Sequence, residues 1–201
     1  FYAPKSLKHI TILGGTEIDS YAFSYMTSLT SVTLPDTITR IKDSAFSGCS
    51  GLSETPIPKS VEYIGSNAFY GCVGFNTLVI SDKVTTIGSS AFCGCTGLTS
   101  VTIPDQALTI GSSAFSECSG LTSIEVPTNV YLDSSGYQFS FCTNLKTAVI
   151  RTDSAAQYMF NLCPKLETIT LANAGAFRHG KLSFRLISAI KCIVNRVLYS
   201  K

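Results

Sequence analysis

No stretch of this 201-residue chain reaches the roughly 18 to 20 apolar residues needed to cross a bilayer as a helix, so no transmembrane helix is expected. Histidine is almost missing. His9 and His179 lie at opposite ends of the chain, and nothing places either beside a nucleophile, as a Ser/His/Asp or Cys/His arrangement requires. There is no CxxC pair, and Cys93 and Cys95 form a single CxC, which is too few converging ligands for a zinc site. The 13 acidic residues are scattered through turn-like segments such as those at Asp36, Asp82 and Asp105, with no cluster suited to calcium. No catalytic residue, metal site or cofactor is expected.

Acids are also absent from residues 178–201, where Arg178, Lys181, Arg185, Lys191, Arg196 and Lys201 carry six positive charges. Residues 1–177 therefore hold nine basic against thirteen acidic side chains, a net −4, which disfavours phosphate-dominated binding to nucleic acid. The chain opens on Phe1 without an initiator Met, a basic start or an apolar run ending in small residues; this predicts a cut terminus and leaves any secretion signal outside it. A 45% hydrophobic content excludes general disorder.

What the chain does contain is a repeat. Phe23, Phe46, Phe69, Phe92, Phe115, Phe139 and Phe160 follow one another at steps of 23, 23, 23, 23, 24 and 21. Three residues after each stands Met26, Cys49, Cys72, Cys95, Cys118, Cys142 or Cys163. A second column, Leu7, Leu29, Leu52, Phe75, Leu98, Leu121, Leu145 and Leu166, opens each unit. Apolar residues three and five places later, such as Val101 with Ile103, predict a short strand. Pro35, Pro58, Pro104 and Pro127 end it, because proline cannot donate to a continuing ladder.

Further inward positions are Ile38 with Ile41, Val61 with Ile64 and Val84 with Ile87, followed by turn glycines at 65, 88 and 111. Ser44, Ser90 and Ser113 stand before Ala-Phe, where a hydroxyl caps a single helical turn. Gly51, Gly74, Gly97 and Gly120, with Asn144 in the sixth unit, read as a left-handed turn. A unit of about 23 residues cannot bury its own apolar face, so the units must stack into a solenoid with parallel strands.

The segment "LTSVTIPDQALTIGSSAFSECSG", residues 98–120, closely resembles the BspA-type leucine-rich repeat, and the resemblance extends over residues 7 to about 171. It implies an α/β repeat fold: a right-handed leucine-rich-repeat solenoid with one short parallel strand per repeat and short helical turns or irregular segments opposite. It further implies display on the surface of bacteria or certain parasitic protists, or secretion, and binding to host proteins or neighbouring cells. The last third departs from the pattern: unit six lengthens and carries "LDSSGYQ", and unit seven shortens and has Arg151 where others have proline.

The cysteine column is expected to be core filling, since Met26 takes the same place and cannot do thiolate chemistry. Column disulfides are disfavoured because parallel side chains on adjacent turns are poorly aimed for the bond. Cys93 matches Ser47, Tyr70 and Ser116 in other units, which predicts partial exposure.

Outward strand positions supply the candidate binding face: Thr30, Ser31, Thr33, Asn76, Thr77, Thr99, Ser100, Thr102, Thr122, Ser123 and Glu125. It is rich in hydroxyls and poor in the Trp, Tyr and Arg that anchor tight interfaces, so affinity would come from many repeats. Tyr63, Tyr70, Tyr131 and Tyr137 lie outside the strand columns and suggest a second edge. Two domains are expected: a solenoid of about eight units over 1–177, and a basic amphipathic segment over 178–201 whose helical spacing fits a cap on the open end of the stack first and a membrane-surface segment second. The expected function is non-enzymatic surface adhesion or interaction with a protein or glycan ligand on a host or neighbouring cell. The alternative is a structural spacer presenting a functional part outside the fragment.

Overall fold

A computed structural model of the chain describes residues 6–106, 108–152, 154, 156 and 158–171. The expected cap over 178–201 lies outside the described residues, as does His179.

The chain winds through about seven turns of a parallel β-solenoid, and each ordinary turn carries two short strands. The strand that opens each unit is β1 (His9–Thr11), β3 (Ser31–Thr33), β6 (Thr77–Val79), β8 (Ser100–Thr102), β10 (Ser123–Val126), β12 (Thr147–Ile150) or β13 (Thr168–Leu171). The second is β2 (Glu17–Ile18), β4 (Arg40–Ile41), β5 (Tyr63–Ile64), β7 (Thr86–Ile87), β9 (Leu108–Ile110) or β11 (Val130–Leu132). Second strands pair without interruption into one six-stranded parallel sheet, β11-β9-β7-β5-β4-β2. Its register sets Ile18, Ile41, Ile64, Ile87, Ile110 and Leu132 side by side, all buried.

The first strands form three shorter sheets, β1-β3, β6-β8 and β10-β12-β13. The break between β3 and β6 has a local cause. In the third unit Thr55 replaces the inward aliphatic residue and Pro56 follows it, so that coil lacks both an anchor and an N–H for the ladder.

Phenylalanine rings run down the interior in register. Neighbouring rings from Phe23 to Phe160 stack at centroid spacings of 5.2 to 5.9 Å, with interplanar angles of 21° or less. Phe46 through Phe139 are fully buried, and each such ring contributes about 1.5–3 kcal/mol by leaving water. The stack is therefore both the repeat's signature and one source of its stability.

Two expectations need correction. Among the described residues there is no helix, so the fold is a parallel β-solenoid rather than the expected α/β repeat, and the anticipated helical turn after Ser44, Ser90 and Ser113 does not form. Those serines are not caps: their φ angles are +56°, +55° and +56°, in the left-handed region. An α-helix needs each N–H to reach four residues back. Here alternate N–H groups cross to the next coil instead, Ser44 to Ser66 O (2.8 Å), Phe46 to Ala68 O (2.8 Å) and Gly48 to Tyr70 O (2.6 Å). Those between close four-residue turns, Ala45 to Lys42 O and Ser47 to Ser44 O. Stacking thus competes for the donors a helix would use, and wins.

The second correction concerns glycine. Gly51 and Gly97 have no positive φ. A Cβ at Gly51 would sit 2.5 Å from Thr27 O, and one at Gly97 2.3 Å from Val73 O. Close approach of the preceding coil demands glycine there. Asn144, in the same column, also lacks a positive φ and donates from Nδ2 to Ser119 O at 2.7 Å.

Candidate interaction surface

The interior consumes the reactive side chains. Each column thiol donates to the carbonyl of the phenylalanine one coil earlier: Cys49 to Phe23 O (2.9 Å), Cys72 to Phe46 O (3.2 Å), Cys95 to Phe69 O (3.2 Å), Cys118 to Phe92 O (3.3 Å), Cys142 to Phe115 O (3.3 Å) and Cys163 to Phe139 O (3.2 Å). Cysteine here is a small apolar filler with one weak donor for a carbonyl lone pair. Burial pushes the Cys49 and Cys163 thiols up to about 11, and those of Cys72, Cys95, Cys118 and Cys142 higher still. All described cysteines are free thiols. Cys93 departs from expectation: it is buried, 6% exposed, as are Ser47 and Ser116 in its column, because the next coil covers them.

Three outer faces remain. On the face of the first strands, Ser31, Thr33, Asn76, Thr77, Thr99, Ser100, Thr102, Thr122, Ser123 and Glu125 are exposed and Thr30 is half-buried. The structure brings them onto one side but divides them among the three short sheets. Some hydroxyls are already engaged. Thr30 donates to Lys8 O (3.0 Å), and Thr99 to Asn76 O (3.1 Å) or Asn76 Oδ1 (2.9 Å). His9 on β1 shares a 2.7 Å hydrogen bond with Ser31 Oγ. Where β8 and β10 fail to pair, a groove of about 520 Å³ opens beside Thr102, Asp105, Thr128 and the Glu125–Arg151 ion pair, which is half-exposed and so contributes little.

The six-stranded sheet turns Glu17, Arg40, Tyr63, Thr86, Thr109 and Tyr131 outward. The Arg40 guanidinium lies 4.2 Å over the Tyr63 ring. Tyr63 and Tyr131 are therefore strand residues, whereas Tyr70 and Tyr137 belong to the third side. The supposed single tyrosine edge is two faces.

That third side, the turns around the Phe column, holds what sequence reading missed. Tyr21 (68%), Tyr25 (71%), Phe141 (41%) and Tyr158 (42%) expose large rings there. Each has a positive φ, +61°, +58°, +57° and +60°, and Tyr137 has +65°. Such backbone costs a bulky residue about 1 kcal/mol or more. In the intervening coils the same columns hold Ser44, Asn67, Ser90 and Ser113, or Gly48, Gly71, Gly94 and Glu117. The signal was present as aromatic residues in columns that elsewhere carry mostly Ser, Asn or Gly. It was unreadable without knowing that those columns face solvent with left-handed backbone.

Among the described residues no group of three or more His, Cys, Asp and Glu side chains is placed to hold a metal ion, and no helix is long and apolar enough to cross a membrane. The family described as "BspA type Leucine rich repeat region" matches in 6 copies, over residues 1–80 and 62–185. Among solved structures, a leucine-rich repeat protein from Eubacterium ventriosum is 26% identical with a TM-score of 0.56, covering 83% of this chain and 40% of that one. One from Bacteroides ovatus is 22% identical, TM-score 0.51, covering 83% of this chain and 61% of the other. The T. pallidum leucine-rich repeat protein is 23% identical, TM-score 0.51, covering 84% and 71%. The chain thus spans only part of the length of these structures. No curated protein matches it.

Proposed function

This chain belongs to the BspA-type leucine-rich-repeat family, and from that premise we propose that it is a non-enzymatic module for surface adhesion or protein interaction. In this reading it is displayed on a cell or secreted, and it binds host or matrix proteins through the face of the first strands. One observation carries the reading: the described thiols and the phenylalanine ladder are spent on the core, while exposed hydroxyls recur coil after coil on one side. Such a surface gains affinity by repetition rather than through one deep pocket.

Binding to immobilised extracellular-matrix proteins tests this. The wild-type chain should bind, and the paired substitution Thr99→Glu with Thr102→Glu should weaken binding at least tenfold by placing carboxylates at the centre of the face. No binding by the unsubstituted chain would defeat the proposal and favour a spacer that carries a functional region elsewhere.

A further inference from the structure

The exposed aromatic residues of the turn face are explained neither by the fold nor by the strand-face proposal. Tyr21 and Tyr25 stand on the first coil, and Tyr137, Phe141 and Tyr158 on the sixth and seventh. Their backbone is strained, and the same columns in the coils between hold Ser, Asn or Gly, with Glu117 the one exception. Nor do their rings fill the core, since four of the five are more than 40% exposed.

Three of the rings, Tyr25, Tyr137 and Tyr158, are nevertheless held in place. A Cβ on Gly48 would lie 2.6 Å from Tyr25 Cδ1, so the Tyr25 ring rests directly on that glycine. Tyr137 and Tyr158 stack on each other at 5.1 Å and 22°. Tyr70, 42% exposed, stands between the two groups. Ordered rings lose little freedom when a partner arrives.

Charge and area together select the partner. Within the described turn segments 21–27, 44–50, 67–73, 90–96, 113–119, 137–143 and 158–164, Glu117 is the only charged side chain. A sulfated or phosphorylated polymer finds no cation there to pair with. Five half-exposed rings present roughly 500 Å² in all, and they are divided between two ends of the face, so each end alone falls well short of the about 800 Å² that each side of a stable protein interface covers. An uncharged sugar fits both limits. The C–H face of a pyranose packs flat on an aromatic ring, and its hydroxyls pair with Tyr and Ser hydroxyls and the Glu117 carboxylate. We propose that the turn face binds neutral glycan chains on two aromatic platforms: Tyr21 and Tyr25 at one end, Tyr137, Phe141 and Tyr158 at the other.

The two platforms are separated by five steps of the phenylalanine ladder, each 5.2 to 5.5 Å. A single extended oligosaccharide can span them, whereas a disaccharide reaches only one. Long chains should therefore bind more tightly than short ones.

The test is affinity electrophoresis and calorimetry with neutral homopolymers of glucose, mannose and N-acetylglucosamine and their di- and hexasaccharides, with a sulfated glycan as the charged control. The expected result is retardation by at least one neutral polymer, a hexasaccharide at least tenfold tighter than its disaccharide, and indifference to the sulfated chain. The variants Tyr25→Gly and Tyr158→Ser adopt residue types found in these columns in other coils, so they keep the fold, and the glycine also relieves backbone strain. Each should leave the thermal midpoint unchanged or raised and lower glycan affinity at least tenfold. The Thr99→Glu, Thr102→Glu chain should keep full glycan binding, which separates this site from the strand face. Failure to bind every neutral glycan, preference for the sulfated chain, or unaltered binding by both tyrosine variants would overturn the proposal, as would a dimer that these variants dissociate.

Discussion

The Cys95 thiol donates to the carbonyl oxygen of Phe69, 26 residues earlier, at 3.2 Å. That contact ties each coil to the one before it from inside, and it exists only while the thiol is protonated.

A pH dependence follows. Burial raises Cys49, Cys93 and Cys163 from an ordinary 9.0 to about 11. The folded chain thus keeps these protons to higher pH than the unfolded chain does. Their stabilisation is complete below pH 9 and is lost as pH climbs through 11. Urea midpoints should be level from pH 7 to 8.5 and fall by pH 10.5. The Cys93→Ser variant, carrying the residue found at Ser47 and Ser116, should lose part of that slope. In native protein at pH 8 the described thiols should resist an aromatic disulfide reagent and react once denatured.

The phenylalanine ladder should be most sensitive in its middle. Phe92 is fully buried and has a stacked neighbour on each side, so Phe92→Ala should cost about 3–5 kcal/mol in chemical denaturation. Phe23 stacks on one neighbour only and is half-buried, so Phe23→Ala should cost clearly less. Equal losses at both positions would mean that the rings do not act as a stack.

Two glycines should respond differently to alanine. Gly97→Ala drives a methyl group into the Val73 carbonyl, a backbone atom that cannot move aside, and should prevent normal folding. Gly71 has φ +67° but open space around it, so Gly71→Ala should cost only about 1 kcal/mol of backbone strain. Circular dichroism and a thermal midpoint for each variant check the ranking.

Much of the solenoid was legible in the order of residues, because stacked identical units force the same interior atom to recur at each turn. Phe92 and Cys95 could be assigned to the core from recurrence alone, and Ile41, Ile64 and Ile87 were recognised as inward-facing. That these isoleucines lie on a second strand was not recognised, since two-residue strands are too short to show alternation. The segment beginning at Ser44 was misread because Ser before Ala-Phe is a helix-start pattern locally, and only the neighbouring coil supplies the competing acceptors. Cys93 was misplaced for a similar reason: the residue that covers it belongs to the next turn.

The strand face was legible residue by residue, but its division at Pro56 and between β8 and β10 was not. The aromatic turn face was the least legible, since an exposed tyrosine and a buried one look alike in a list of residues. Period, core columns and family membership are properties of the one-dimensional pattern, because each coil buries only what repeats. Which hydrogen bonds close the turns, which glycines are crowded and which rings reach water were decided by the contact of one coil with the next, across 22 to 26 residues of chain. Local preference cannot see that far, and the stacked backbone overrides it.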